Sequence, residues 1–212
     1  MIAIDMLHAE RPLSRQEAKL VTRHRLLQAA MGVLVEQGRE GLTTGSVTKR
    51  VGVAQPTFYV HFHDMDELLR ELATDIVERL RKTLHEARVP LRESADLIAA
   101  SREAFRLSLR ATVKHADLLR IFLAEQYRPQ STLGDCAQQL LTKLTDDLVA
   151  DIVDLPIAMG LQRKQLRLVA DSQVGLIMQM GLALADKRET DEDMIVELLA
   201  RTTLALVSSL PR

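Results

Sequence analysis

VGVAQPTFYVHFHDMDELL, residues 51–69, is the stretch of this sequence that decides its fold. The chain has only two tyrosines and four phenylalanines, and three of these six aromatic residues lie here beside two histidines. Pro56 is tolerated in the first turn of a helix, because the N–H that proline lacks would have no partner there. The stretch therefore predicts a short helix that begins near Pro56, followed by a longer helix over about 65–87.

The residues before this stretch predict two more helices. Apolar residues recur on one face of a helix over about 16–37, at positions 26, 27, 30, 33 and 34. Gly38 and Gly41 end that helix. Thr43 stands where an N-cap belongs, so a short second helix is expected over TGSVTKRV, with Gly52 at its end.

Two short helices joined by about three residues that start with glycine are typical of a helix-turn-helix. In that motif one helix braces the phosphate backbone while the N-terminal half of the next enters the major groove. Asp64 with Glu67 predicts a capping box at the start of the fourth helix. The sequence thus predicts a flexible arm over 1–15 and a DNA-binding domain over 16–63.

The third helix is expected to divide its side chains between the core and DNA. Gln55 and Thr57 are predicted to be exposed at its start, where they can hydrogen-bond base edges. Phe58 and Phe62, four residues apart, are predicted to point into the small core.

Tyr59 and His61 are expected at the flanks of this helix, where a hydroxyl or an imidazole meets phosphate. The alternatives are a core position for Tyr59 and surface solvation or capping for His61. His61 and His63 supply only two ligands, so no metal site is predicted. The predicted DNA-binding residues are Thr43, Thr44, Lys49, Gln55, Pro56, Thr57, Tyr59 and His61.

Charge agrees with a nucleic-acid partner. Residues 11–63 carry eight Lys and Arg against three acids, a net charge of +5, so the remainder carries −6 of the total of −1. A basic segment attached to an acidic remainder is typical of a polyanion-binding domain joined to a second domain. The alternative is a solvated helix face with chance clustering.

Other sequence features narrow the class of protein. The single cysteine, Cys136, cannot form an internal disulfide, which fits a reducing compartment. The N-terminus is a poor signal peptide, and the longest apolar run, residues 174–185, is expected to be too short to span a bilayer. No GxSxG, P-loop, HExxH or Cys/His cluster is present. We therefore expect a soluble cytoplasmic protein that is not an enzyme, without catalytic residues, metal or cofactor.

Residues 26–68 resemble the DNA-binding domain of TetR/AcrR repressors. The matching residues are Gly38, Thr43, Val47, Gly52, Val53, Ala54, Gln55, Pro56, Thr57, Phe58, Tyr59, His61, Phe62, Glu67 and Leu68. Three positions depart from that pattern. Met65 replaces a lysine that contacts phosphate in the family, Thr48 replaces the usual alanine, and Gly45 stands where the family often has a longer polar or basic residue. The candidates to replace the lost phosphate contacts are Lys49, Arg50, Arg11, Arg15, Lys19 and Arg23.

The rest of the chain, 64–212, is expected to be helical, and the resemblance implies that it is a ligand-binding and dimerisation domain. Further helices are expected near 92–115, 117–127, 132–154, 162–187 and 191–209, for an all-α fold of about nine helices. Gly175 and Gly181 are expected to let another helix approach closely. The resemblance implies that the last two helices, about 162–187 and 191–209, pair with their copies in a homodimer; an intramolecular core is the alternative.

The resemblance also implies an apolar pocket for a small-molecule effector. The candidate lining residues are Phe105, Leu109, Leu119, Phe122 and Met178, with core packing as the alternative. Arg106, Arg110 and Arg120 are candidates to hold an anionic head group, and a fatty-acyl compound would suit such a pocket. The predicted function is a repressor released from a palindromic double-stranded operator by its effector, with no membrane role. A helical protein–protein adaptor without DNA binding is the alternative.

Overall fold

All regular structure in the computed structural model, which describes residues 14–211, is helical. The helices are α1 Arg15–Gly41, α2 Thr44–Val51, α3 Pro56–His61, α4 Met65–Arg88, α5 Pro90–Glu93, α6 Leu97–Lys114, α7 Ala116–Glu125, α8 Thr132–Ile152, a 3₁₀ helix Pro156–Ala158, α9 Arg163–Ala185 and α10 Glu192–Ser209. The predicted all-α fold is confirmed. Almost all of the predicted arm, 1–15, lies outside the described residues.

The additional α-helix comes from a break that the sequence analysis missed. Pro90 starts the four-residue helix α5 instead of lying in a loop. Asp96 then caps α6, since its carboxylate accepts a hydrogen bond of 3.0 Å from the N–H of Ala99. The helix predicted over 92–115 is therefore two helices, separated by a turn at 94–96.

The chain divides into two compact units, one up to Leu72 and one from Ala73. The predicted domain boundary, between residues 63 and 64, lies just before α4, whereas the division between the two units lies inside that helix, after Leu72. In the first unit α1, α2 and α3 pack on one another. Their core is apolar and fully buried, with Leu26, Val47 and Phe58 among its members.

Helix α1 bends where the sequence predicts its end. Gly38 has φ 68° and ψ −169°, a left-handed backbone that favours glycine, and the helical turn beyond it is short. The chain then enters α2 through Leu42, which is buried. Gly38 thus sets the direction in which α2 leaves α1.

The second unit is a bundle in which α9 contacts α6, α8 and α10. At Gly181 a Cβ atom would lie 2.4 Å from Cγ2 of Thr112, so α6 approaches α9 as closely as glycine allows. Gly175 has nothing within 4 Å of its Cβ position and is exposed, so the close approach predicted there is not found within this unit.

Helix α9 is longer than the apolar run that it contains. Its 23 residues, with a mean hydropathy of 1.4 over 18 of them, are long and apolar enough to cross a membrane by composition alone. The apolar run of 174–185 had been expected to be too short. Helix α9 contacts α6, α8 and α10, but only 39 % of this 18-residue window is buried, and Leu168 and Leu176 are exposed.

Candidate nucleic-acid interface

Helix α2 is fixed at its N-terminus by a reciprocal cap. The Thr43 hydroxyl accepts a hydrogen bond of 3.0 Å from the N–H of Ser46, and the Ser46 hydroxyl accepts one of 2.9 Å from the N–H of Thr43. The predicted N-cap at Thr43 is confirmed. The cap places the exposed Thr43 and the half-buried Thr44 at the surface end of α2.

The turn after α2 depends on Gly52. Its φ of 79° lies in the left-handed region, where glycine avoids the clash that a Cβ atom brings. The N–H groups of Gly52 and Val53 both bond the carbonyl of Thr48, at 3.0 and 3.1 Å. Arg25 of α1 donates to the carbonyl of Val51 at 2.9 Å, which satisfies another free group at this helix end. The turn therefore holds α2 and α3 at a fixed angle.

Helix α3 begins at Pro56, as predicted, and presents its first turn outward. Gln55 and Pro56 are exposed and Thr57 is half-buried. The Gln55 amide donates to the hydroxyl of Thr44 at 2.9 Å, which brings two predicted site residues from different helices together. This bond orients the Gln55 amide at the surface shared by the starts of α2 and α3.

The aromatic core of α3 is confirmed. Phe58 and Phe62 are fully buried, with ring centroids 5.6 Å apart. Tyr59 is 58 % exposed and Val60 is 62 % exposed. Tyr59 therefore keeps its predicted position on the surface. Val60 was not predicted as a site residue, although its place outside the 58/62 periodicity indicates an exposed side chain beside Tyr59.

The expected exposed position of His61 is wrong. Its side chain is buried, with 8 % of its surface exposed, because it shares the inward face of α3 with Phe58 and Phe62. Its Nδ1 has no hydrogen-bond partner within residues 14–211. Burial, followed by the charges of Lys19 and Arg23, lowers the pKa of His61. The surroundings of His61 therefore favour the neutral form of the imidazole.

Arg23 explains why α1 is held against the start of α4. Its guanidinium donates to both carboxylate oxygens of Glu71, to Glu67 at 3.1 Å and to the carbonyl of His61. It also lies 4.0 Å above the ring of Phe62. These contacts, led by the hydrogen bonds to Glu71, raise the pKa of Arg23. The guanidinium is fully occupied inside the unit, so the hypothesis that Arg23 replaces a phosphate contact is wrong.

The start of α4 differs in detail from a capping box. Asp64 accepts a hydrogen bond of 2.7 Å from the N–H of Glu67, as predicted. Glu67 reaches back one residue further than expected and accepts from the N–H of His63 at 2.6 Å. These backbone hydrogen bonds are the main reason that the pKa values of Asp64 and Glu67 are lowered.

Arg50 and Lys49, adjacent on α2, have different surroundings. Arg50 lies across α1 at Gly32, where a Cβ atom would meet Nη2 at 2.7 Å, and it donates twice to Glu36 at 2.6 Å. Arg50 is therefore not available as the substitute for a missing phosphate contact. Lys49 is exposed and forms no ion pair with any described residue. Of these two cations, Lys49 is the one that can bind phosphate.

A large cavity lies entirely within the second unit. Of the predicted effector-binding residues, Phe105, Leu119 and Met178 line it. Leu109 and Phe122 do not line it and are buried elsewhere in the core of the bundle. The alternative of core packing is the correct one for these two residues.

The three arginines predicted to hold an anionic head group lie outside this cavity. Arg106 pairs with Glu103 and Asp193, Arg110 with Glu192, and Arg120 with Asp117 and Asp186. Their guanidinium groups are used in surface ion pairs instead. The charged residue that does line the cavity is Arg88, together with the polar Gln173, and neither was predicted. Arg88 bonds Asp151, 63 positions away, and Gln173 has no hydrogen-bond partner among the described residues, so neither leaves a local signal in the sequence.

Within the described part of the chain, no group of three or more His, Cys, Asp or Glu side chains could hold a metal ion. The polar arrangement that stands out is therefore the exposed surface of α2 and α3. It combines hydrogen-bonding side chains, an unpaired cation and a helix that projects its first turn, which is the chemistry of duplex DNA recognition.

Known proteins share both the sequence and the fold. Residues 26–72 match the model of the bacterial regulatory proteins of the tetR family. A protein from Haemophilus influenzae described as an uncharacterized HTH-type transcriptional regulator is 27 % identical over 135 residues, 63 % of this chain. The match spans 64 % of that protein's own length.

Two solved structures illustrate the shared fold. A putative TetR-family transcriptional regulator from Syntrophomonas wolfei is 15 % identical, with a TM-score of 0.69, over 91 % of this chain and 97 % of that one. Thermus thermophilus FadR, a TetR family transcriptional repressor in complex with lauroyl-CoA, is 22 % identical, with a TM-score of 0.60, over 90 % of this chain and 96 % of that one.

Proposed function

We propose that the chain is a TetR-family regulator, which binds a palindromic operator as a homodimer and represses transcription. The observation that carries the proposal is the exposed first turn of α3, with Gln55, Pro56 and Tyr59 at the surface. The major groove is wide enough for an α-helix, and Gln55 can bond adenine bidentately once it leaves Thr44. Thr43, Thr44 and Lys49 are proposed to contact the backbone beside it.

The proposed dimer uses α9 and α10. Both helices carry large apolar side chains at the surface, with Leu168, Leu176, Met194, Leu198 and Leu206 each at least 38 % exposed. Exposed apolar side chains on adjacent helices mark an interaction surface. Gly175, exposed on the same helix as Leu168, fits a close approach by a second copy. Two-fold symmetry would then place one DNA-binding unit on each half of a palindrome.

The cavity in the second unit is proposed as the effector site. Its wall is largely aliphatic, which suits an acyl chain, and the FadR of Thermus thermophilus was solved with lauroyl-CoA. Release then follows as a population shift, since an effector that binds better to the DNA-free state lowers operator affinity by its differential affinity. We propose a cytoplasmic regulator without enzymatic activity.

Selection of bound duplexes from a random pool tests the function. We expect a palindromic sequence to be enriched and to bind with an affinity that falls steeply with salt, because phosphate contacts release counterions. A protein–protein adaptor would enrich no duplex. Absence of any enriched sequence, with the dimer intact, would refute the proposal.

The selected operator then tests the reading residues. Gln55→Ala is expected to weaken operator binding by about 1–3 kcal/mol per subunit while leaving random-duplex binding unchanged. Gln37→Ala, which removes an exposed amide from α1, is the matched control and is expected to change neither. Equal losses on operator and random DNA would remove Gln55 from the base-reading set.

A further inference from the structure

Six polar side chains interrupt the otherwise apolar wall of the cavity in the second unit. The cavity volume is about 110 Å³, several times the roughly 10–15 Å³ that one water molecule needs. Four hydroxyl groups line it, those of Ser101, Ser108, Thr112 and Thr203. Each already donates to a backbone carbonyl of its own helix.

Arg88 and Gln173 differ from these hydroxyls. The side chain of Arg88 is 9 % exposed, and its Nη2 has no hydrogen-bond partner among residues 14–211. Gln173 is 2 % exposed, and both its amide nitrogen and its amide oxygen lack partners there. A buried polar group without a partner is costly, so these atoms point to a ligand that supplies one.

The position of Arg88 is fixed by Asp151 on α8. Nε of Arg88 donates to this carboxylate at 2.7 Å, which leaves the Nη2 edge unused. Asp151 is itself buried and also accepts from Nδ1 of His85 at 2.9 Å and lies 3.7 Å from Nη2 of Arg92. Arg92 is half-exposed and does not line the cavity, so the pair buried beside the cavity is Arg88 with Asp151, and Nη2 of Arg88 is its free donor. The nearby Asp147 is already balanced by Arg81 at 2.6 Å.

We propose that the effector is a free aliphatic carboxylic acid, bound as its carboxylate by Nη2 of Arg88. Nη2 of Arg88 is a buried donor that a carboxylate can satisfy with a charge-assisted hydrogen bond, and the aliphatic wall matches the chain of the acid. A coenzyme A thioester would bring only a neutral carbonyl to this guanidinium. The inference rests on the proposed role of the cavity as the effector site and narrows the class of ligand.

Gln173 defines a second contact in the same site. Its amide can donate to and accept from an oxygen on the chain of the ligand, such as a hydroxyl. At least one of 2-, 3- and 10-hydroxydecanoate is therefore expected to bind about 3- to 10-fold more tightly than decanoate. Gln173→Leu should cancel that gain. If no isomer binds more tightly than decanoate, Gln173 is not a ligand contact.

Calorimetric titration of the full chain in the absence of DNA tests the carboxylate. Decanoate is expected to bind about 10- to 100-fold more tightly than methyl decanoate or 1-decanol, because only the acid forms a charge-assisted hydrogen bond. Equal affinity for acid and ester would overturn the proposal, as would binding of decanoyl-CoA without binding of decanoate. Since this assay contains no DNA, failure of operator binding leaves its result intact.

Substitution locates the contact. Arg88→Met should weaken decanoate binding by about 10- to 100-fold and leave methyl decanoate unchanged. Arg102→Met is the control, because Arg102 pairs with Glu197 on the surface and does not line the cavity. An effect of Arg102→Met equal to that of Arg88→Met would refute the assignment. If the Arg88→Met variant does not fold, the comparison of decanoate with methyl decanoate in the unsubstituted protein still shows whether the site prefers a carboxylate.

Discussion

Replacement of Lys49 by glutamine tests whether this lysine contacts a DNA phosphate or only contributes to the structure of the unit. Lys49 is exposed on α2 without an ion pair to any described residue, whereas its neighbour Arg50 donates twice to Glu36 at 2.6 Å. Each phosphate contact contributes about 0.9 to the slope of log affinity against log salt. A dimer with two copies of Lys49 should therefore lose about 1.8 from that slope in the variant.

The size of the effect makes it measurable. Over a fourfold rise in salt, a slope difference of about 1.8 corresponds to a difference of about 12-fold in the loss of affinity. Fluorescence anisotropy on the selected operator, repeated from about 50 to 200 mM salt, gives the slope directly. Because phosphate contacts carry no sequence information, operator and random duplex should weaken alike.

Two controls interpret the slope. The double substitution Glu36→Gln with Arg50→Gln leaves the net charge unchanged and removes only the internal pair, so its slope should equal that of the unsubstituted protein. Lys114→Gln in the second unit removes the same charge as Lys49→Gln at an exposed site on α6. An unaltered slope for Lys49→Gln, or an equal change for Lys114→Gln, would refute the assignment of Lys49.

Three further predictions concern the stability and assembly of the units. Gly52→Ala should lower the free energy of unfolding by about 1–2 kcal/mol, because the backbone φ at this position is 79°. Gly45→Ala should raise the free energy of unfolding by about 0.5–1 kcal/mol, because the new Cβ would meet only Thr43 Oγ1, at 3.7 Å. Urea unfolding of both variants gives the sign of each change, and a loss at Gly45 equal to that at Gly52 would contradict the reasoning. Burial lowers the pKa of His61 in the folded protein, so the unfolded chain binds a proton more readily. The contribution of His61 to stability should be complete above about pH 6.5 and should be lost as the pH falls toward the lowered pKa. His61→Gln should flatten this pH dependence in urea unfolding, and an unaltered pH dependence would be the contrary result. Leu198→Glu should convert the dimer to monomer in analytical ultracentrifugation, and a dimer that persists would exclude this face of α10.

The sequence was sufficient for the DNA-binding unit because its signals are local. Pro56 at the first helical position, Thr43 at an N-cap and Gly52 at a helix end each act within a few residues. The burial of His61 was predictable from the same kind of signal. It stands three residues after Phe58 and one before Phe62, which puts it on the core side of α3.

Contacts between distant residues could not be predicted in this way. Arg23 meets Glu71 across 48 positions, and Arg88 meets Asp151 across 63. Single charges in a sequence carry no sign of which partner they meet, so Arg23 and Arg50 were taken for possible DNA contacts. For the same reason three arginines that form surface ion pairs were predicted to hold a head group, and Arg88, the charged residue that lines the cavity, was not.

The contacts of Arg23 determine where the chain can be truncated to give a stable DNA-binding fragment. Glu67 and Glu71 belong to the first two turns of α4, beyond the boundary that the sequence suggested at residue 63. A truncation there would leave the guanidinium above Phe62 without either carboxylate, and the isolated piece would be weakened at its centre. An excised DNA-binding fragment should therefore extend at least to Leu72, and a hybrid regulator should be joined after that residue.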